Sequence, residues 1–197
     1  DYNVSRANAA TAEFDDMTIR GLLRVYELVI SKIRTGNGSY LFSDGGKVVS
    51  VSGSGPYTLT FDEDHGLAVG DLLKAQRFSG TAYISNCTVT SVPGKKTAVV
   101  TLYSGSAPAA GFEYVRIGNT TDTNRQGSVY ITSNDSGAPY IDIINGVASH
   151  ADWGAPQKNK GRFGKLTGIT GVANEYGLIV GTGYTSADQY LRLSTSA

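Results

Sequence analysis

The stretch Arg125 to Val147, RQGSVYITSNDSGAPYIDIINGV, decides how the chain is built. It reads as a short strand, a turn of Ser, Asn, Asp, Gly and Pro residues, and a second strand closed by Asn-Gly, which is the grammar of a β-hairpin. Within the second strand Asp142 alternates with Ile141 and Ile143, so period-two geometry places it on the opposite face from both. That face is expected to be the wet one. Asp135 belongs to the turn itself, where a short carboxylate bonds the local backbone.

The same grammar extends in both directions. Upstream, SYLFS, KVVSVSG, YTLTF, DLLKAQRF, AYISNCTVTSV, TAVVTLY and EYVRIG are short alternating runs, punctuated by DGG, SGSGP, DEDHG, VPGKK and SGSAPAAG. Evenly spaced strands with no helices between them argue for an antiparallel barrel or sandwich over residues 39–118. Downstream, GSVYIT, PYIDII, RFGKL, YGLIVGTG and QYLRLST are separated by Gly, Asn and Ser. These strands are too short and polar to fill a private core, so residues 119–197 are expected to bury their apolar faces against other chains. The fold class is therefore mainly β.

One segment departs from this pattern. TIRGLLRVYELVISKIR, residues 18–34, sets Leu22, Val25, Tyr26, Val29, Ile30 and Ile33 at spacings of three and four, the signature of an amphipathic helix. Arg34 stands in the last turn and TGNG supplies residues that tolerate a left-handed stop, so residues 18–38 are expected to form a helix and its cap. Its stripe has two possible receivers, the chain's own sheet or symmetry mates across an axis. Residues 1–17 are polar and read as an arm or linker. A chain beginning at Asp1 reads as a processed protein or an excised fragment.

Composition narrows the partners. Lys and Arg number 17, Asp and Glu also 17, and charged residues make up only 17% of the 197, so neither a nucleic acid nor an anionic membrane finds a basic footprint. No stretch approaches the ~20 apolar residues of a membrane span. The single cysteine, Cys87, has no disulfide partner within the chain and fits a half-buried strand position. His65 and His150 lack the paired spacing of a zinc site, and Asp62, Glu63 and Asp64 lack the ligand ladder of a calcium loop, so that cluster reads as a solvated turn. No metal or other cofactor is expected. Asp71, following Gly70, reads as a turn residue.

Chemistry-bearing motifs are equally sparse. Asp135 and Asp142 are the one pair of carboxylates that a glycosidase reading could use. There is no Gly-x-Ser-x-Gly elbow, phosphate loop or His-Glu-x-x-His pair, and the spaced glycines of GLIVGTG open no strand-to-helix unit. Nothing in the chain assembles a nucleophile, a base and an orienting group, so no enzyme is expected. Aromatics offer the better lead: Trp153, Tyr140, Tyr176, Tyr184 and Tyr190 cluster in the C-terminal half. Trp153, Tyr140 and Tyr184 are the candidate sugar or receptor contacts, because ring faces stack on apolar sugar faces while amides bond hydroxyls. The structural alternative for Trp153 is a plug under a loop or between subunits.

Two blocks carry a resemblance. FDDMTIRGLLRVYELVISKIRTGNGSYLFSDGGKVVSV, together with GDLLKAQRF and the later IGNTTDTNRQGSVYITSNDSGAPYIDIINGV, resembles the tail-tip and tail-fibre (host-specificity) proteins of tailed bacteriophages, over residues 13–147. The resemblance implies a virion structural protein located in the tail, commonly a homotrimer, whose partners are itself, other tail proteins and a host-surface glycan or protein. Two rivals stand beside it: a carbohydrate-binding module or depolymerase remnant acting on surface glycan, and a secreted bacterial surface protein.

Overall fold

A computed structural model describes residues 38–79, 81–185 and 187–195. The chain divides into two units, Asp1–Arg34 and Thr35–Ala197, and the described residues all belong to the second. The expected helix 18–34, with Leu22, Val25, Tyr26, Val29, Ile30 and Ile33, and the arm 1–17 lie outside them.

Among the described residues twelve strands form in chain order: β1 Ser39–Phe42, β2 Gly45–Ser52, β3 Tyr57–Phe61, β4 Asp71–Ser79, β5 Thr81–Gly94, β6 Thr97–Gly105, β7 Glu113–Asn119, β8 Ser128–Thr132, β9 Tyr140–Ile144, β10 Asn159–Lys165, β11 Tyr176–Gly181 and β12 Tyr190–Ser194. Each alternating run of the sequence lands on one of them. The fold is mainly β, in two bodies of strands: a closed antiparallel barrel in the order β2-β3-β6-β5-β4-β7, and an open antiparallel sheet in the order β1-β8-β9-β10-β11-β12. Ser39–Phe42 stands beside the barrel strands in sequence but pairs with β8, Tyr40 opposite Ile131 and Phe42 opposite Val129. A four-residue strand carries too little pattern to choose between two edges.

The barrel core follows from alternation. Leu59 and Phe61, Leu73 and Ala75, Cys87 and Val89, and Ala98 and Val100 point inward as period-two pairs and meet Val48, Phe112 and Tyr114. Register shifts between β2 and β3, β4 and β7, and β5 and β6 supply the local bends that closure requires. Cys87 is buried here, its thiol pKa raised by desolvation. The Tyr114 hydroxyl donates to Ser85 Oγ at 2.7 Å, which satisfies a polar atom that burial would otherwise penalise.

Leu72 and Leu73 are both buried although adjacent, because β4 has a core on each side. Leu73 faces the barrel interior, whereas Leu72 joins Ile117, Ile144 and Val147 in a second cluster between the barrel wall and the sheet. Gly118 allows this approach: a Cβ there would sit 2.2 Å from the Val147 carbonyl oxygen.

A polar clasp fixes the same junction. Arg125 donates to both Asp71 oxygens, Nε to Oδ1 at 2.9 Å and Nη2 to Oδ2 at 2.6 Å, while Asn119 Nδ2 donates to Oδ1 at 2.8 Å. Asp71 does cap its own turn, accepting from the Ala68 amide at 2.7 Å, but it is fully buried and its main partner lies 54 residues away. Burial pushes the Asp71 carboxyl up, yet the bonds from Arg125, Asn119 and Ala68 outweigh it and hold the pKa below the ordinary carboxylate value. Arg125 also reaches Asp44, whose other partner is Arg116. GDLL and NRQG, far apart in the sequence, thus meet in space as a structural clasp.

The hairpin 125–147 forms as read, with Tyr130 opposite Asp142 and Ile131 opposite Ile141. Its orientation reverses the expectation. Asp142 is only 5% exposed, while Ile143 on the other face is 47% exposed. The alternation is correct; the wet face is the apolar one. Arg162, directly opposite Asp142 on β10, donates Nε to Oδ1 and Nη2 to Oδ2, both at 2.7 Å, so the buried charge is compensated by a bidentate partner.

Candidate ligand-binding cleft

The buried face of the open sheet carries the rung Leu41, Tyr130, Asp142, Arg162, Ile179 and Arg192. Leu41 and Tyr130 pack on the apolar cluster, Ile179 is buried, and Asp142 and Arg162 turn toward a cleft of about 430 Å³. Trp153, Tyr140 and Tyr184, the three aromatic candidates of the sequence, all line this cleft. Tyr176 does not: it lies exposed across from Lys165 at the far end of β10–β11.

Each aromatic is positioned by a local device. Trp153 follows a short 3-10 turn, His150–Asp152, whose Asp152 accepts from the amides of Ala148 and Ser149 at 2.9 Å each. These bonds outweigh the opposing effect of desolvation and hold the Asp152 pKa below its ordinary value. The indole packs on the Leu72, Ile117, Ile144 and Val147 cluster, with Tyr130 edge-on at 6.1 Å between ring centroids. Part of its role is therefore to plug the barrel–sheet junction, and its remaining surface faces the cleft.

Tyr140 opens β9 and lies flat beneath a guanidinium, with Arg162 Cζ 3.4 Å from its ring centroid, a close cation–π stack. Its hydroxyl donates to Asp135 Oδ2 at 3.2 Å, and the Tyr130 hydroxyl donates to the same oxygen at 2.7 Å. Burial, with Asp135 and Asp142 nearby, pushes the Tyr140 phenol up to about 12 against the opposing pull of Arg162. The Tyr184 hydroxyl lies 3.2 Å from Asn159 Oδ1 and 3.3 Å from the Ile179 carbonyl, and Tyr190 stands edge-on to its ring at 6.2 Å.

Three further lining residues escaped the sequence reading. Tyr130 shares the inward rung with Asp142, Arg162 is the cross-strand partner of Asp142, and Lys74 points out of the barrel wall beside Leu72. The signal for Lys74 is the alternation Leu72, Leu73, Lys74, Ala75, which gives β4 an outward face as well as an inward one. Lys74 Nζ sits 5.6 Å from the Trp153 ring centroid. Burial lowers its pKa, with Asp135 pulling the other way.

Chemically the cleft offers hydrogen bonds and ring faces. Asp142 is locked to Arg162, and Asp135 holds two phenols. Elsewhere, Asp62, Glu63 and Asp64 form the exposed turn the sequence suggested, and His65 packs edge-on against Phe61 at 4.9 Å. Among the described residues no group of three or more His, Cys, Asp or Glu side chains converges on a point where a metal ion could sit. No protein-family model, curated protein or solved structure matches the chain.

Proposed function

We propose that the protein is a non-enzymatic structural component of a bacteriophage tail fibre or tail tip, self-associating as a homotrimer and contributing to host-cell attachment. The single observation that supports this reading best is the outer face of the open sheet. Two complete rungs cross all six strands: Phe42, Val129, Ile143, Gly161, Val180 and Leu191, then Tyr40, Ile131, Ile141, Phe163, Leu178 and Leu193. Neither rung contains a charged side chain, and the phenol of Tyr40 is their one polar group. Phe163 is 63% exposed and Leu193 60%, with Leu191, Phe42 and Tyr40 similarly open.

Five strand spacings make this surface about 24 Å wide. An apolar patch of that extent on a soluble domain marks an interaction surface. The occupant that fits is another copy of the same chain, because a face without charge asks only for an apolar partner and every further copy carries one. The apolar stripe of residues 18–34 precedes β1 in sequence, and the first rung residue, Tyr40, follows it closely. The resemblance to tail-tip and tail-fibre proteins selects the trimer and the virion tail from among self-associating β proteins.

Light scattering on the purified chain at micromolar concentration tests the reading. A threefold mass is expected. Phe163→Asp with Leu193→Asp should give a monomer whose circular dichroism is unchanged, since both side chains already face solvent within one chain. A stable wild-type monomer would overturn the proposal.

A further inference from the structure

We infer that the cleft lined by Lys74, Tyr130, Asp135, Tyr140, Trp153 and Asn159 is a binding site for an uncharged saccharide unit. Its volume of about 430 Å³ falls within the roughly 300–1,000 Å³ typical of small-molecule sites. The apolar part of the wall combines Ile144, Pro156 and Ile169 with three aromatic rings, Trp153 and Tyr130 tilted 74° to each other and Tyr140 beside them with one face under Arg162. Such rings stack on the C–H faces of a pyranose.

The polar part of the wall holds bonding capacity that the protein leaves unspent. The Lys74 ammonium makes no hydrogen bond or salt bridge with any described residue; it sits against the Trp153 ring and feels the Asp135 carboxylate only at longer range. Asp135 uses Oδ2 for both tyrosine hydroxyls, and Oδ1 has no partner among the described residues. Asn159 accepts through Oδ1 from the Gly161 amide and the Tyr184 hydroxyl, and its Nδ2 donates to none of them. The cleft thus presents a half-buried ammonium and amide as donors and, at its exposed edge, the Asp135 carboxylate as acceptor. Hydroxyl groups, which donate and accept at once, satisfy all three.

Charge selects the ligand further. Arg162 and Asp142 neutralise each other through their bidentate pair. The remaining two charged groups, Lys74 and Asp135, are opposite in sign and form no ion pair with each other. An anion placed on Lys74 meets the Asp135 carboxylate, and a cation placed on Asp135 meets the Lys74 ammonium. A neutral polyol meets neither penalty.

Every lining group comes from one chain, so binding does not depend on the proposed trimer, and the two readings fail separately. Trp153 is the single tryptophan of the protein, which makes its emission a direct reporter of the cleft. The probes are maltotriose, cellotriose, the N-acetylglucosamine trimer, a galactose-containing trisaccharide and, as the acidic control, trigalacturonate. At least one neutral trisaccharide is expected to change Trp153 emission saturably below about 10 mM. Lys74→Met, which keeps the stem on the indole and removes the donor, should weaken that binding about tenfold. Asp135→Asn should weaken it too, and tests the acceptor should the lysine variant fail to fold. The Phe163→Asp, Leu193→Asp chain should bind as the wild type does. No response to any neutral probe, a response to trigalacturonate alone, or unchanged affinity in both cleft variants would overturn the inference.

Discussion

The barrel and the open sheet obey the same period-two rule and use it in opposite directions. In the barrel, closure gives each strand an interior, and Leu59, Phe61, Val89 and Val100 fill it. The sheet has no interior of its own. It packs one end of its mixed face, at Leu41, Tyr130 and Ile144, on the barrel wall, buries Asp142, Arg162 and Ile179 farther along, and turns Phe163, Ile143 and Leu193 to water. The barrel core therefore closes on itself, whereas the sheet has buried its polar residues and left its apolar ones without a partner among the described residues. That inversion teaches that hydrophobic alternation specifies two faces but not which of them is inside.

The largest expected effect separates two phenylalanines. Phe61→Ala should cost about 3–5 kcal/mol in a urea melt, because it empties a fully buried position in a closed core. A small cost there would mean that the barrel is not the stable body of the fold.

Next comes the buried pair. Asp142→Ala leaves Arg162 charged and unpaired beside Tyr140, and about 3 kcal/mol should be lost. Replacing both, Asp142→Leu with Arg162→Met, should recover most of that loss, since no isolated charge then remains. A double variant no better than the single one would show that the pair has a packing role beyond compensation.

The clasp predicts a pH dependence. The Asp71 carboxyl is held below its unfolded value of about 3.9, so its stabilisation is fully present above that pH. It is lost as pH falls through the native value. The urea midpoint of the wild type should therefore drop more steeply between pH 5 and 3 than that of Asp71→Asn, which starts lower at pH 7 and titrates less. Parallel pH profiles would assign the acid sensitivity to other carboxylates.

The smallest effect is expected on the open face. Phe163→Asp, measured on dissociated chains, should shift unfolding by less than about 0.5 kcal/mol, in contrast to Phe61→Ala. A loss of several kcal/mol would show that this face is covered within the chain.

Much of the architecture was legible from pattern. Every strand could be read from alternation and Gly, Pro, Asn and Asp punctuation, because strand geometry is local and its turns demand specific residues. The aromatic lead was legible in part, since Trp153, Tyr140 and Tyr184 do share one cleft. Lys74 was not, because it enters the cleft from a barrel strand, and no local signal links β4 to a loop 79 residues later. Arg162 was hidden for a similar reason: its partner is set by cross-strand register, not by spacing along the chain.

By itself the sequence determined the hairpin grammar of Arg125–Val147, the antiparallel β class and the placement of Asp142 opposite Ile141 and Ile143. Tertiary structure alone decided that Asp142 is buried and the isoleucines are wet, that Asp71 reaches across to Arg125, and that Lys74 meets Trp153. Alternation is a property of one strand's backbone. Inside and outside exist only once a second layer, here the barrel wall at one end and the connecting segments that carry Trp153, Gly168 and Tyr184 beyond it, has covered one face of the sheet.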